Sequence, residues 1–423
     1  VKKVECQTRK RIGVCLNETK RRKLNFAVFE ELCRNHGYDV TEVDLTKCLN
    51  NQGPFDLIIH KLSDLLVEAG QDLPSHHLVQ RLQVYLDTHP FTILLDPLPA
   101  LHTLLDRFQS YHLLRSLESR SQGMSGVFSP PCVELITERS DVVTLVRANL
   151  TFPIICKTRV AHGPRSHEEQ IPLERFETCS ISRSVRILER KSQMKPTHDR
   201  NVRWNDSVGP FLPESPVMSL IFNERGLKEV NPPCLLQSFI NHSATLYKVF
   251  VVGSQHFVVK RPSIRNFSLG ETDQKTIFFN SHEVSKAESC SHLSQAPLYP
   301  DALPPSDDVV RQAVQGLQEA LGMSLFGIDL IVDTQSGRCA VIDVNAFPGY
   351  EGVPEFFSAL LSHVEKLLGS NQKQSSILEL PASVPQCEEH NTERRSLPEP
   401  CKRRLSSSSS YFSMYTPPLS ADC

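Results

Sequence analysis

Two apolar segments in the last third of the chain carry acids where a strand interior would ordinarily carry none. They are Phe326-Gly-Ile-Asp-Leu-Ile-Val-Asp333 and Cys339-Ala-Val-Ile-Asp-Val-Asn345, and a short turn containing Gly337 joins them. This is the pattern of an antiparallel hairpin. With Asp333 opposite Cys339, Asp329 falls opposite Asp343, and Asn345, two residues on, projects from the same face. Like charges facing each other on a sheet repel, and the surrounding Ile and Val limit water, so a bound hard cation is the natural offset. Two carboxylates and an amide oxygen suit Mg²⁺ better than zinc. The alternative is two half-exposed acids on a solvated face, which a one-residue slip of register would produce. On the magnesium reading, Asp343→Asn is expected to abolish turnover while leaving the fold largely intact, because relief of like-charge repulsion offsets the lost ion.

A carboxylate-held magnesium suggests phosphoryl transfer, yet the usual loops for it are missing. There is no G-x-x-x-x-G-K-[ST] loop and no Gly-rich protein-kinase loop with its catalytic Asp motif, so another nucleotide fold is required. The formal charge of the 423 residues is only −2, so any anion site must be local, and neither nucleic acid nor an anionic membrane is demanded. Lys20-Arg-Arg-Lys23, read as lying between a first strand and its helix, is one source of cations. Taken alone it reads more readily as a solvated basic loop. The second is Lys157-Thr-Arg-Val-Ala-His-Gly-Pro-Arg-Ser-His167, where a strand ends in Lys157 and a loop brings Arg159, His162 and His167. A strand lysine is a suitable point charge for nucleotide phosphates, and such a loop is suited to closing over a second anion. Lys248 and Arg261, on later strands, are ordinary surface cations if taken singly.

Organisation along the chain follows from periodicity. Arg11 to Leu16, Leu57 to Ile59 and Thr92 to Leu95 read as buried strands alternating with helices, one of them capped by Asn25 with Phe26, Phe29 and Cys33 on one face. A mainly parallel sheet is expected there, with ligands at the strand C-terminal ends. A helix after Pro99 places Leu101, Leu104, Leu105 and Phe108 on one face. From about Glu118 the pattern is α+β, with shorter strands, a helix from Val310 stopped by Gly322, and a last helix from Glu355 to Leu368. Residues 169–217, with a basic stretch from Arg183 to Arg203 and Trp204, read as an insertion, and the Ser/Pro-rich residues 369–423 as a disordered tail. The 13 scattered cysteines, with no C-x-x-C pair, read as free thiols. No apolar run nears the roughly 18 residues of a membrane span. The expectation is a soluble protein of the cytosol or nucleus.

Taken together, Lys-Leu-Asn-Phe26, Gly-Pro-Phe-Asp-Leu-Ile-Ile-His-Lys-Leu62, Leu-Asp-Pro-Leu-Pro-Ala100, Ile-Cys-Lys-Thr-Arg-Val-Ala-His-Gly163, Ser-Leu-Phe-Gly-Ile-Asp329 and Ile-Asp-Val-Asn-Ala-Phe-Pro-Gly-Tyr-Glu-Gly352 resemble the inositol tetrakisphosphate 1-kinase family. These are also called inositol 1,3,4-trisphosphate 5/6-kinases, within the ATP-grasp superfamily. The resemblance spans nearly all of residues 11–369 outside the insertion.

It implies an ATP-grasp fold, α/β and α+β, with an N-terminal Rossmann-like (pre-ATP-grasp) domain. Residues 1–117 would help bind inositol phosphate, 118–368 would form the ATP-grasp domain, and the protein would be a monomer. Carried over, ATP would bind Arg107, Lys157, the run Gln237, Ser238, Phe239, Ile240, Asn241, His242, Ser243, Ala244, Thr245, Leu246, Tyr247 and Lys248, and Ser263, Ser281 and Ser285. Inositol phosphate would contact Lys20, His167, Lys248 and Asn345; His162 and Arg261 are weaker candidates. Mg²⁺ would sit on Asp329, Asp343 and Asn345, with Lys157, His167 and Lys248 as the catalytic cations and no general base assigned. Family substrates are inositol 3,4,5,6-tetrakisphosphate, phosphorylated at the 1-position, and inositol 1,3,4-trisphosphate, at the 5- or 6-position; some relatives exchange phosphate between isomers. The insertion, directly after His167, departs from the family pattern and leaves open a nucleotide binder with little turnover. An ATP-grasp ligase joining a carboxylate to an amine is the rival enzyme, disfavoured by the basic groups.

Overall fold

The computed structural model describes residues 9–119, 126–136, 149–161, 217–295 and 304–378. His162, His167, nearly all of the insertion and the tail beyond 378 lie outside the described residues. Among the described residues no helix is long and apolar enough to cross a membrane.

The N-terminal third alternates strands and helices: β1 (Arg11–Cys15), α1 (Glu18–Leu24), α2 (Ala27–Asn35), β2 (Asp39–Glu42), α3 (Leu49–Gln52), β3 (Leu57–His60), α4 (Ser63–Ala69), α5 (Leu73–Thr88) and β4 (Ile93–Leu95). The strands form one sheet in the order β2-β1-β3-β4, every pairing parallel, as expected. Such a sheet must be covered on both faces. On one, Phe29 and Cys33 of α2 pack with Ile12, Val14, Leu57 and Ile59. On the other, Leu82 and Tyr85 of α5 pack with Phe55 and Ile58. Asn25 does not start a helix. It ends α1 in the left-handed region at φ 53°, a conformation Asn tolerates, while Asn17 is the N-cap and accepts from the Lys20 amide at 2.7 Å. The Lys20 to Lys23 run therefore lies on α1 rather than in a loop.

The single helix expected after Pro99 is two, α6 (Leu98–Leu105) and α7 (Arg107–Ser119). Asp106 between them is extended at φ −93°, ψ 107° and forms an isolated bridge with Val160. Its carboxylate caps the new helix, accepting from the amides of Phe108 (2.9 Å) and Gln109 (3.2 Å). Apolar spacing cannot register that break, because Leu101, Leu104 and Leu105 are buried in either case.

Two five-stranded sheets follow. The strands are β5 (Val127–Phe128), β6 (Cys132–Leu135), β7 (Ile154–Thr158), β8 (Val217–Ile221), β9 (Cys234–Ser238), β10 (Thr245–Val252), β11 (Gln255–Pro262) and β12 (Ile277–Asn280). Next come α8 (Ser281–Ser285), α9 (Asp307–Leu321), β13 (Leu325–Val332), β14 (Cys339–Ala346) and α10 (Phe356–Leu378). One sheet runs β11-β10-β13-β14-β5 and the other β12-β8-β7-β9-β6. In the first, Tyr247, Val249, Val251, Ile328 and Leu330 share a core with α6, α7 and α9, which leaves Lys248 and Asp329 on the opposite face. Gly322 stops α9 at φ 64°, as expected, whereas α10 continues past Leu368 to Leu378. Cys48 is disulfide-bonded, against the expectation of free thiols, which rested on sequence spacing alone; Cys15, Cys33, Cys132, Cys156, Cys234, Cys290 and Cys339 are free.

Candidate functional site

The hairpin β13–β14 does bring its acids face to face, by a route the sequence pattern misses. Next to the turn the register is Val332 opposite Cys339, not Asp333 opposite Cys339, and continued unbroken it would set Asp329 against Ile342. A bulge between Asp329 and Leu330 on one strand and Val341 and Asp343 on the other leaves Ile342 unpaired and restores Asp329 opposite Asp343. The bulge frees the Ile342 carbonyl, which accepts from Lys157 Nζ at 2.7 Å. Asn345 pairs with Gly327 further along the same strand and is half-buried.

Lys248 lies opposite Asp329 on β10, so one row across three strands reads Lys248, Asp329, Asp343. Lys248 Nζ sits 3.0 and 3.1 Å from the two Asp329 oxygens. At the other end Arg107 Nη1 lies 2.8 Å from Asp343 Oδ2. The like-charge repulsion inferred from sequence is thus already met by two protein cations. Burial alone would raise the Asp343 pKa, but Arg107 and Lys157 hold it below the ordinary carboxylate range. Lys157 is itself buried, and burial pushes its pKa down against the pull of Asp343. Arg107 reaches this position because the helix break fixes it: its amide donates to Arg159 O, and Ala161 donates to Leu105 O. Arg159 is structural, since its guanidinium bonds Asp106 (2.9 Å) and Glu134 (2.7 Å).

A cavity opens between the two five-stranded sheets, lined by Arg107, Ser129, Lys157, Gln237 and Asp343 among others. Arg107 Nε and Ser129 Oγ are buried on its wall without a hydrogen-bond partner, so a polar ligand has donors to satisfy. Of the run after Gln237, Leu246 and Tyr247 are core side chains and Phe239, His242 and Ala244 are buried. Gln237 lines the cavity, and the Lys248 side chain reaches Asp329. Ser263 is buried and bonded to His242 Nε2 at 2.7 Å. Ser281 and Ser285 are half-buried at the two ends of α8. His282 between them has its pKa lowered by burial first and then by Lys248 and Lys23, which sets α8 beside the same charges.

The basic run on α1 disperses. Lys20 is buried and donates to the carbonyls of Phe347 (2.9 Å) and Pro348 (2.6 Å), just past β14. Arg21 pairs with Glu30 and Glu42, Arg22 with Glu18, and Lys23 with Glu351. Sequence reasoning missed Lys61, although it directly follows a parallel strand. Its Nζ donates to Ala346 O at 2.7 Å, so Lys20 and Lys61 hold consecutive carbonyls of one loop. Burial and then the charge of Lys61 push Lys20 down to about 7; burial pushes Lys61 down to about 8. Arg261 Nη2 donates to Glu351 O on the same loop.

Residues 11–101 match the model of the inositol 1,3,4-trisphosphate 5/6-kinase pre-ATP-grasp domain, and residues 212–366 match that of the ATP-grasp domain of the same family. An inositol-tetrakisphosphate 1-kinase of Xenopus laevis is 46% identical over 363 residues, 85% of this chain and 79% of that protein. The chain belongs to the inositol 1,3,4-trisphosphate 5/6-kinase family. A Danio rerio inositol-tetrakisphosphate 1-kinase matches with the same identity and coverage. A D-alanine–D-alanine ligase from Bacillus anthracis aligns with a TM-score of 0.44 and 13% identity, covering 86% of this chain and 99% of that one, a likeness too distant to bear on chemistry. Lys248, Asp329 and Asp343 lie in the segment that matches the ATP-grasp domain, Lys20 and Lys61 in the segment that matches the pre-ATP-grasp domain, and Arg107 between the two.

Proposed function

We propose that the chain is an ATP-dependent kinase of soluble inositol polyphosphates, adding phosphate to inositol 3,4,5,6-tetrakisphosphate at the 1-position and to inositol 1,3,4-trisphosphate at the 5- or 6-position. The observation that carries the reading is the charge row Lys248, Asp329, Asp343, Arg107, with Lys20 and Lys61 bound to the carbonyls of Ala346, Phe347 and Pro348 just beyond Asn345. A ligase joining a carboxylate to an amine has no use for so many cations beyond its nucleotide site.

In this reading Arg107, Lys157, the run from Gln237 to Lys248, Ser263, Ser281 and Ser285 hold ATP. Lys20, Lys248, Asn345 and His167 hold the inositol phosphate. Two carboxylates and an amide oxygen on one face of a hairpin fit a hard divalent ion, so Asp329, Asp343 and Asn345 would hold Mg²⁺. The ion, when bound, neutralises phosphate charge. Entry of phosphates draws Arg107 and Lys248 off the two acids, and those cations then meet charge spreading over the transferred group. The ring hydroxyl is placed in line by the clamp on its neighbouring phosphates, so positioning carries much of the rate. Phosphate exchange between isomers would run the same steps backward and forward on one bound ring. Residues 1–117 and 118–368 are proposed as the two domains, with 369–423 as a tail, in a monomer of the cytosol or nucleus that binds neither nucleic acid nor membrane.

Incubation with MgATP and each inositol phosphate, against MgATP with amino acids, tests this. A phosphorylated inositol product is expected, and amide formation without it would overturn the reading. The same assay on a version lacking residues 169–217 shows whether the insertion restrains turnover: greater activity in the shortened form would assign that role to it.

A further inference from the structure

Glu351 stands among the cations of the proposed polyphosphate pocket, where phosphoryl transfer asks for no carboxylate. Its Oε1 lies 2.8 Å from Lys23 Nζ. The side chain folds back over its own loop, so closely that a Cβ on Gly349 would fall 2.0 Å from Oε1. The loop backbone is fixed from three sides, by Lys61 on Ala346, by Lys20 on Phe347 and Pro348, and by Arg261 on Glu351 itself. The carboxylate, 48% exposed, is the part left able to move. Burial would raise its pKa, but the bond and charge of Lys23, followed by the charge of Lys20, keep it below the ordinary value. The charges of Lys248, Lys23 and Glu351 all act on His282 of α8.

Resting on the kinase reading above, we propose that Glu351 is a specificity-determining residue: its carboxylate occupies Lys23 in the substrate-free protein and must be displaced by a substrate phosphate. A ring with a phosphate that reaches Lys23 replaces one anion by a stronger one and releases the carboxylate to solvent. A ring without it leaves the ion pair in place and gains nothing from Lys23, whose charge Glu351 neutralises. The residue therefore weakens binding of every polyanion and grades substrates by where their phosphates sit.

The test is calorimetric binding of inositol 3,4,5,6-tetrakisphosphate and of inositol 1,3,4-trisphosphate to the full chain, alongside KM for each and for ATP. Glu351→Gln, which keeps shape and removes charge, should tighten both inositol phosphates by about three- to tenfold at low ionic strength, with the gain shrinking as salt rises. The ratio of the two affinities should change, and KM for ATP should hold. Glu351→Asp, which keeps the charge, should stay near the starting affinity. In a Lys23→Gln background the gain from Glu351→Gln should be smaller, because the ion pair is already broken. Unchanged or weakened binding in Glu351→Gln, or an equal shift in ATP, overturns the inference while the kinase reading stands. A chain that binds and turns over neither inositol phosphate sinks both.

Discussion

Two groups of cations in this chain behave in opposite ways. Lys20, Arg21, Arg22 and Lys23 are consecutive, yet on α1 they point in different directions and three of them pair with local acids or with Glu351. Arg107, Lys157 and Lys248 lie far apart in sequence, yet they meet within one row of side chains and one cavity wall. A helix spreads neighbours through about 100° per residue, whereas aligned strands stack a single residue from each onto one face. Density of charge along the chain is therefore a poorer guide to an anion site than single cations brought together from separate elements, here Lys248 on β10, Lys157 on β7 and Arg107 at the start of α7.

The sharpest way to break that contrast is to remove the anion that the dispersed cations share. Asp343→Asn should reduce kcat/KM by at least about 10³-fold if, as proposed, this carboxylate holds a metal ion at the reacting centre. The sequence-based expectation of a largely intact fold rested on relieving repulsion between the two acids, but Arg107 and Lys248 already neutralise them. Arg107 is only 8% exposed and would lose its partner beside buried Lys157, so roughly 2–4 kcal/mol of stability should go as well. Urea midpoints with an unchanged m-value read this directly. Full stability in the variant would show the repulsion argument to have been right after all.

Next in size, Lys157→Met should lower kcat/KM by about 10²- to 10³-fold by removing a preorganised cation, and it leaves the bulged Ile342 carbonyl unsatisfied. A KM effect on ATP alone, with kcat intact, would make Lys157 a binding residue and no more.

Lys20 sharpens the contrast through pH. Its pKa falls from 10.5 to about 7, chiefly by burial, so it loses its charge as pH rises through 7. The value of kcat/KM for the inositol phosphate should fall over that interval, and Lys20→Arg should flatten this limb. Stability moves the other way. The unfolded lysine keeps its proton toward 10.5 while the folded one sheds it, so this group's contribution to stability rises with pH between about 7 and 10. Parallel changes in both would exclude Lys20 as their source.

Arg22→Ala should do least. Its pairing with Glu18 joins side chains that are 75% and 70% exposed, so stability should change by under about 0.5 kcal/mol and KM by less than about twofold. A large KM rise would mean that the α1 run acts as a unit.

Much of the scaffold was legible because its signals are local. Buried apolar runs marked β1, β3 and β10, and the pairing of Asp329 with Asp343 was right, though only because a bulge corrected a register wrong at the turn. Such a bulge is a tertiary event, tied here to Lys157 from another sheet. The break at Asp106 was hidden for a similar reason: its bridge to Val160 and its ion pair with Arg159 come from residues more than 50 positions away. Lys61 and Glu351 were invisible because a lone charge acquires meaning only from the carbonyls or cations the fold sets around it.

The most direct measurement follows product from the full chain with MgATP and inositol 3,4,5,6-tetrakisphosphate by anion-exchange chromatography, beside Lys248→Met and Arg22→Ala. The row of strand charges as the transfer centre predicts one phosphate gained per ADP formed, a loss of about 10²-fold or more in Lys248→Met, and no appreciable change in Arg22→Ala. Equal turnover in Lys248→Met, or its preservation there with loss in Arg22→Ala, would contradict it.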